Sequence, residues 1–325
     1  MKAIVIREPG DPSVLELANV DQPTMGRRDI VVDVHAAAVN RADVSQRRGT
    51  YPPPPGAPLW PGLEISGIVS EVGNDVTLFS VGDRVCALLA GGGYAERAVV
   101  DERHALPVPA GVDLLDAAGL IEAITTVWHN VFMLGELKRD DVLLVHGGSS
   151  GIGTMAIQLA GAFGARAVVT VGSAEKADAC RSLGADLAIE YREEAFESRV
   201  VEEYGGADVI LDSIGGGYLS RNLTALRTDG RIMNIGNLSG EEGTLNFGAL
   251  MRKRATIRST TLRSRSIEDK ANIVASVRKS VWPLVESGEI RPVIFARFPL
   301  NEAAAAHRLL ESSGHIGKLL LIVER

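Results

Sequence analysis

A chain of 325 residues is long for one compact core, so its length alone predicts two domains. With 46% apolar and 23% charged residues it has the balance of an ordinary folded globular protein. A net charge of −7 argues against a general surface for nucleic acid or anionic membrane.

In chain order, the first third predicts short strands and tight turns, with strands over 30–36, 67–73 and 81–85. Such runs, rich in Gly, Pro and Val, point to a twisted, barrel-like β domain. Tyr51-Pro52-Pro53-Pro54-Pro55-Gly56 is read as a loop, because four prolines deny both ladder hydrogen bonds and helix. The pattern changes near Leu114-Leu115-Asp116-Ala117-Ala118. From there to about Trp282, apolar strands alternate with helices. Strands are expected over 141–145, 167–171, 188–189, 209–211 and 231–235, and helices over 152–163, stopped by Gly164, and 175–183. Continuous apolar strands between helices predict a parallel sheet covered on both faces. The tail returns to a helix over 302–311, capped by Asn301, and a strand over 319–323. The opening Met1-Lys2-Ala3-Ile4-Val5-Ile6 is too short for a signal sequence, and no uninterrupted apolar run approaches the ~20 residues of a membrane span. Two distant cysteines, Cys86 and Cys180, lie in no CxxC pattern, which suits a reducing cytosol.

The sharpest local signal is His146-Gly147-Gly148-Ser149-Ser150-Gly151-Ile152-Gly153, which follows a buried strand and opens a helix. Glycines let the backbone turn tightly and approach a diphosphate, and the helix N-terminus offers unpaired N–H groups. Gly148, Ser149, Ser150, Gly151, Ile152 and Gly153 are therefore the expected dinucleotide-binding residues. NAD sites place a carboxylate at the end of the next strand, about 20 residues on. Here that strand ends Val171-Gly172-Ser173, with no carboxylate at its tip. Ser173 can donate to a phosphate, Lys176 stands one helical turn later, and Tyr191 adds a phenol at the following strand end. This set favours NADPH. Lys176 taken alone is equally an exposed helix lysine, and Glu175 is the contrary residue unless it points to solvent.

Several separated blocks resemble the zinc-free quinone oxidoreductases of the medium-chain dehydrogenase/reductase superfamily, and the resemblance covers essentially the whole chain. The blocks are Ala38-Val39-Asn40-Arg41-Ala42-Asp43, the Gly49-Thr50-Tyr51 to polyproline loop, Pro61-Gly62-Leu63-Glu64, Gly82-Asp83-Arg84-Val85, the glycine loop and Gly317-Lys318. The tyrosine-polyproline loop and Ala249-Leu250-Met251 before Arg252-Lys253-Arg254 are similar to the subgroup of the tumour-suppressor-inducible quinone oxidoreductase. The resemblance implies an α/β fold: a Rossmann doubly wound parallel sheet plus a GroES-like, mainly β catalytic domain. It implies that residues 1–123 and 290–325 form the catalytic domain and 124–289 the NADPH-binding domain, with a cleft along their junction.

Zinc-dependent relatives hold their metal with a Cys, a Gly-His-Glu motif and a further Cys or Asp. Asn40 stands at the position of that Cys and Leu63 at that of the His, and two cysteines cannot build a four-Cys structural site. The six histidines, His35, His104, His129, His146, His307 and His315, form no pair at ligand spacing and are read as packing or surface residues. No metal is expected. Without a Lewis acid the chemistry suits quinones and enones, where added hydride yields a delocalised anion that hydrogen-bond donors can hold.

Tyr51 is the candidate donor to the acceptor oxygen, or it only packs over the proline loop. Asn40 can orient substrate or nicotinamide, or form an Asx turn, and Asp43 can cap the helix that follows. The resemblance places Thr126 and the Asn234-Ile235-Gly236 strand end near the nicotinamide, with Leu262 and Arg263 on the far side of the pocket. Lys318 either reaches cofactor phosphate or is a solvated lysine before the last strand. In this family the strand corresponding to 255–262 lies at a sheet edge and pairs with a partner subunit, so a homodimer is expected.

Three readings of function follow. The first is flavin-free NADPH:quinone reduction. The second is NADPH-dependent reduction of an enone, alkenal or enoyl thioester. The third is an NADPH-binding protein with a structural or RNA-binding role, like the zeta-crystallin relatives, against which the acidic charge speaks.

Overall fold

The computed structural model describes residues 1–324. They form two compact units, Met1–Thr125 together with residues from Leu262 onward, and Thr126–Thr261.

The first unit opens with an antiparallel pair, β1 (Lys2–Ile6) and β2 (Leu15–Asn19). Then come β3 (Asp29–Ala38), α1 (Arg41–Arg47), β4 (Glu64–Val72), β5 (Arg84–Leu88), β6 (Arg97–Asp101) and β7 (Ala105–Pro107). β3 is central: it pairs with β4 and β6, and its register against β4 shifts twice, which increases the twist of the sheet. Ile30, Val32 and Val34 on β3 bury against Ile65 and Val85. Residues 81–83, expected as strand, instead make a turn: Gly82 has φ +97° and the Asp83 carboxylate accepts from Ser80 N at 2.8 Å. The strand begins only at Arg84.

α2 (Ile121–Val127) leads into the second unit and continues as a π-helical turn, Trp128–Leu134. Then β8 (Val142–His146), α3 (Gly151–Ala162), β9 (Arg166–Val171), α4 (Ala174–Ser182), β10 (Leu187–Glu190), α5 (Phe196–Tyr204), β11 (Ala207–Asp212), α6 (Leu219–Ala225), β12 (Leu226–Asn234), α7 (Phe247–Lys253) and β13 (Thr256–Ser259) alternate. Their strand order is β10-β9-β8-β11-β12-β13 and every pairing is parallel. This is the Rossmann arrangement, whose order reverses between β8 and β11, where such folds bind nucleotides. Val142, Leu143, Leu144 and Val145 are all buried, as a strand covered on both faces requires.

The chain then adds α8 (Ile267–Ser280), α9 (Trp282–Glu286), β14 (Ile294–Pro299), α10 (Ala303–Ser312) and β15 (Lys318–Ile322) to the first unit. β15 pairs antiparallel with β3, Leu320 facing Ala38, so the last strand of the chain completes the first sheet. The sequence reading put residues 262–289 with the nucleotide-binding domain. α8 and α9 belong to the first unit because His104 Nε2 bonds Ile267 O at 2.8 Å and Trp282 Nε1 donates to Pro107 O at 2.9 Å. Asn301 does not cap α10: it lies inside a 3₁₀ turn, Leu300–Glu302, and Glu302 takes the cap position without a side-chain bond. One helical stretch, Asp116–Leu134, is long and apolar enough to cross a membrane, and 78% of it is buried in the protein as in a core helix.

Candidate functional site

In the second unit the loop from β8 to α3 shows why its glycines are needed. Gly147 has φ +77°, and a Cβ on Gly148 would lie 2.4 Å from Val169 Cβ on β9. A Cβ on Gly153 would meet Gly147 O at 2.3 Å. Ser150 caps α3, its Oγ accepting from Gly153 N at 3.0 Å, and Ser149 is buried. Gly148, expected among the dinucleotide-binding residues, does not offer its amide, because the N–H groups of Gly147 and Gly148 both donate to Thr170 O, at 3.1 and 3.0 Å. Gly148 serves close approach to β9, and the donors left to the turn are the amides of Ser149, Gly151 and Ile152. Beneath the loop, buried His146 bonds Thr170 Oγ1 at 3.1 Å and Asn222 Oδ1 at 2.6 Å, and burial lowers its pKa.

At the end of β9, Ser173 takes the cap position of α4 with extended backbone, and its hydroxyl makes no cap bond. Lys176 is half-buried, which lowers its pKa. The hydroxyl of Tyr191 lies 3.4 Å from the place of a Cβ on Gly172. Arg192 stacks over the Tyr191 ring at 5.8 Å and its charge bears on Lys176. Ser173, Lys176, Tyr191 and Arg192 thus gather at one strand end, and Glu175 is exposed. Arg192 was missed in the sequence, although it directly follows Tyr191 just past the end of β10.

The ends of β11 and β12 are held by their own side chains. Buried Asp212 accepts from Ile214 N at 2.8 Å and Gly215 N at 3.2 Å. Asn234 Nδ2 donates to Gly236 O at 2.7 Å, and Gly236 lies close to Ser213 O. Thr126 is buried, its carbonyl accepting from Asn130 Nδ2 at 2.8 Å. Thr126, Asn234 and Gly236 therefore stand on the unit that carries the glycine loop. Leu262 and Arg263 stand on the other.

In the first unit, Asn40, Asp43, Glu64 and Lys318 are brought together. Lys318 Nζ lies 2.5 Å from Glu64 Oε1 and 2.7 Å from Asn40 Oδ1. Asn40 Nδ2 donates to the same Glu64 oxygen at 3.1 Å, and Glu122 N donates to Glu64 Oε2 at 3.0 Å. Burial opposes the charge on Lys318, but the carboxylates of Glu64 and Glu122 raise its pKa overall. Lys318 is therefore neither a solvated lysine nor a phosphate ligand, because its ammonium is enclosed with a buried carboxylate. Asn40 likewise has both ends of its amide engaged within the unit, so its part is to join Lys318 to Glu64. Asn40 also holds the cap position of α1, and Asp43 answers from the first turn by accepting from Asn40 N at 2.8 Å. Asp43 further accepts from Gly62 N and the Tyr94 hydroxyl, while burial pushes its carboxyl up to about 6. The residues here do not fit a catalytic zinc. Asn40 and Leu63 replace two ligands, a lysine ammonium already sits between Asn40 and Glu64, and no group of three His, Cys, Asp or Glu among the described residues is placed to hold a metal.

Tyr51 is held by Arg263. The guanidinium lies 5.3 Å from the ring centroid, Nη1 donates to Tyr51 O at 3.2 Å, Nη2 to Gln46 Oε1 at 2.6 Å and Nε to Ala90 O at 2.7 Å. Arg263 is thus a buried clamp on the tyrosine-polyproline loop rather than a free cofactor ligand. Burial raises the pKa of Tyr51, with Arg263 opposing, so the phenol keeps its proton at neutral pH. Beside it, Leu63, Leu88, Leu89, Glu122, Leu262, Arg263 and Lys270 line a cavity of about 10 Å³.

Residues 26–110 match the alcohol dehydrogenase GroES-like domain, and residues 151–277 match the zinc-binding dehydrogenase domain. The quinone oxidoreductase of Rattus norvegicus is 31% identical over 328 residues, covering 99% of this chain and 98% of that protein. The Escherichia coli quinone oxidoreductase in complex with NADPH is 31% identical with a TM-score of 0.89, covering 99% of this chain and 100% of that one. An NAD-dependent alcohol dehydrogenase is 32% identical with a TM-score of 0.88, each chain covered completely. Full-length similarity and the parallel-sheet order, with Asn40 and Leu63 in place of two zinc ligands, together establish that the chain belongs to the zinc-free quinone oxidoreductase family of the medium-chain dehydrogenases/reductases.

Proposed function

We propose that this protein reduces quinones with NADPH, without a metal. The observation that carries the reading is the glycine loop closed onto β9, with Ser173, Lys176, Tyr191 and Arg192 gathered beyond it where an NAD site would hold a carboxylate. Two cations and two hydroxyls suit a 2′-phosphate. The amides of Ser149, Gly151 and Ile152, at the N-terminus of a twelve-residue helix, suit the diphosphate. Thr126 and the Asn234–Gly236 turn are assigned to the nicotinamide end. Bound NADPH supplies the hydride. Tyr51 then donates a hydrogen bond from its phenol to the acceptor oxygen as negative charge develops there.

Fold alone does not fix the acceptor, so the test is a panel of quinones, enones and alkenals assayed with NADPH and NADH in parallel. Faster turnover of quinones with NADPH supports the reading. Turnover of alkenals alone, or a preference for NADH, overturns it. Replacing Tyr51 by Phe should lower kcat about 10- to 100-fold if the phenol acts on the acceptor.

We assign the enzyme to the cytoplasm and propose that it works as a homodimer through β13. That strand forms one edge of the parallel sheet, α7 has no buried residue, and Phe247 and Met251 are 68% and 74% exposed. A monomer in sedimentation equilibrium at micromolar concentration would reject this assembly.

A further inference from the structure

Lys270 sits in the first turn of α8, after the cap residue Ser266. It is 5% exposed, yet its Nζ donates to a backbone carbonyl, Arg263 O, at 3.2 Å and belongs to none of the ion pairs among the described residues. Burial lowers its pKa, and the neighbouring Arg263 cation lowers it further. His104, bonded to Ile267 O on the same turn, adds no compensating carboxylate. Exposed Glu268 of α8 is paired with Arg103, and Asp269 is exposed. The ammonium also lies at the positive end of a fourteen-residue helix. Burial, a neighbouring cation and the helix dipole all act against charge here, and a methionine of similar length would avoid all three. Such an arrangement persists where the charge has work to do. Lys270 lines the cavity shared by Leu63, Leu88, Leu89, Glu122, Leu262 and Arg263. Its volume, about 10 Å³, matches one oxygen atom and excludes a ring.

We propose that this cavity receives the reacting oxygen of the acceptor and that the Lys270 ammonium donates to it first a hydrogen bond and then a proton. The proposal rests on the reading that the enzyme reduces quinones. Hydride from NADPH converts the quinone to a hydroquinone monoanion. As the O–H bond forms on that anion, an N–H bond of Lys270 breaks, and solvent returns the proton to the amine. The sum is quinone, NADPH and one proton giving hydroquinone and NADP⁺. The ammonium stands in a mostly leucine-lined space, where a single donor acts strongly on developing charge. Tyr51, held nearby by Arg263, is the second donor.

Two measurements test this. In steady-state kinetics, Lys270→Met should lower kcat for quinone about 100-fold, leave the KM for NADPH unchanged, and abolish the alkaline limb of the pH–kcat profile. Lys270→Arg, which keeps the charge, should retain more activity than Lys270→Met. The second measurement needs no hydride transfer. Bound 4-nitrophenol reports its own ionisation by absorbance, and the wild type should take it up as the phenolate, with its apparent pKa lowered on binding. Wild-type kcat and pH profile in Lys270→Met, or wild-type protein binding nitrophenol only in the neutral form, overturns the proposal. If the wild type reduces no quinone, the functional reading fails, and the nitrophenol titration still decides whether the subsite holds an oxyanion.

Discussion

Replacing Lys318 by Met tests the buried polar centre of the first unit. The ammonium is 2.5 Å from Glu64 Oε1, with side-chain exposures of 6% and 0%, and 2.7 Å from Asn40 Oδ1. Removing it leaves the Glu64 carboxylate with two donors, Asn40 Nδ2 at 3.1 Å and Glu122 N at 3.0 Å, and no cation. Breaking a buried pair on one side costs about 3–5 kcal/mol. For a unit of this size that corresponds to a Tm lower by roughly 6–20 °C. Replacing Glu64 by Gln in the same chain removes the stranded charge and should recover most of the loss, because two neutral groups of similar shape no longer need pairing. The assay is guanidinium unfolding of wild type, both single variants and the double variant, followed by tryptophan fluorescence. In Lys318→Met, the KM for NADPH should stay near wild type. A penalty below about 1 kcal/mol refutes the buried-pair account, by the same scale that separates surface from buried pairs. A KM increase for NADPH but not NADH would return Lys318 to the role of phosphate ligand.

Lys176→Ala and Arg192→Ala should each raise the KM for NADPH about 10-fold or more while changing that for NADH less than about 2-fold, since each removes a charge-assisted contact to the 2′-phosphate. Gly148→Ala forces a Cβ within 2.4 Å of Val169 Cβ, so it should cost about 1–3 kcal/mol in thermal unfolding, and Val169→Ala in the same chain should relieve part of it. Asp43 is fully buried and its carboxyl is raised from 3.8 to about 6 in the folded chain. An acid raised on folding favours the fold where it is protonated, so that contribution, about 3 kcal/mol, is complete below pH 3.8 and lost as pH rises through 6. Asp43→Asn should flatten this segment of the stability curve in urea titrations between pH 4 and 7, and an unchanged slope would show that its three hydrogen bonds outweigh burial.

Local patterns were enough for much of this protein. Apolar strands alternating with helices define a parallel sheet whatever surrounds them, and His146 to Gly153 announces a nucleotide turn because Gly148 and Gly153 answer steric demands on the next strand or a few residues away and Gly147 a positive φ. The missing carboxylate after β9 is equally a local fact. What the sequence left open depends on pairs far apart in the chain. Lys318 looked like a candidate phosphate ligand until β15 was seen beside β3, which brings its ammonium to Asn40, 278 residues earlier. Arg263 was expected on a pocket wall and does line a cavity, but its hydrogen-bond partners Tyr51, Gln46 and Ala90 precede it by more than 170 residues in the chain. Most of α8 falls within the family match to residues 151–277, yet it packs with the first unit for the same reason, since its anchor at His104 lies some 160 residues before it. Whether a charged side chain meets solvent, a ligand or an opposite charge is settled by which distant backbone passes nearby, and periodicity carries no record of that. Tertiary structure alone decided that Lys318 is paired with Glu64 inside the first unit and that Lys270 donates to a backbone carbonyl.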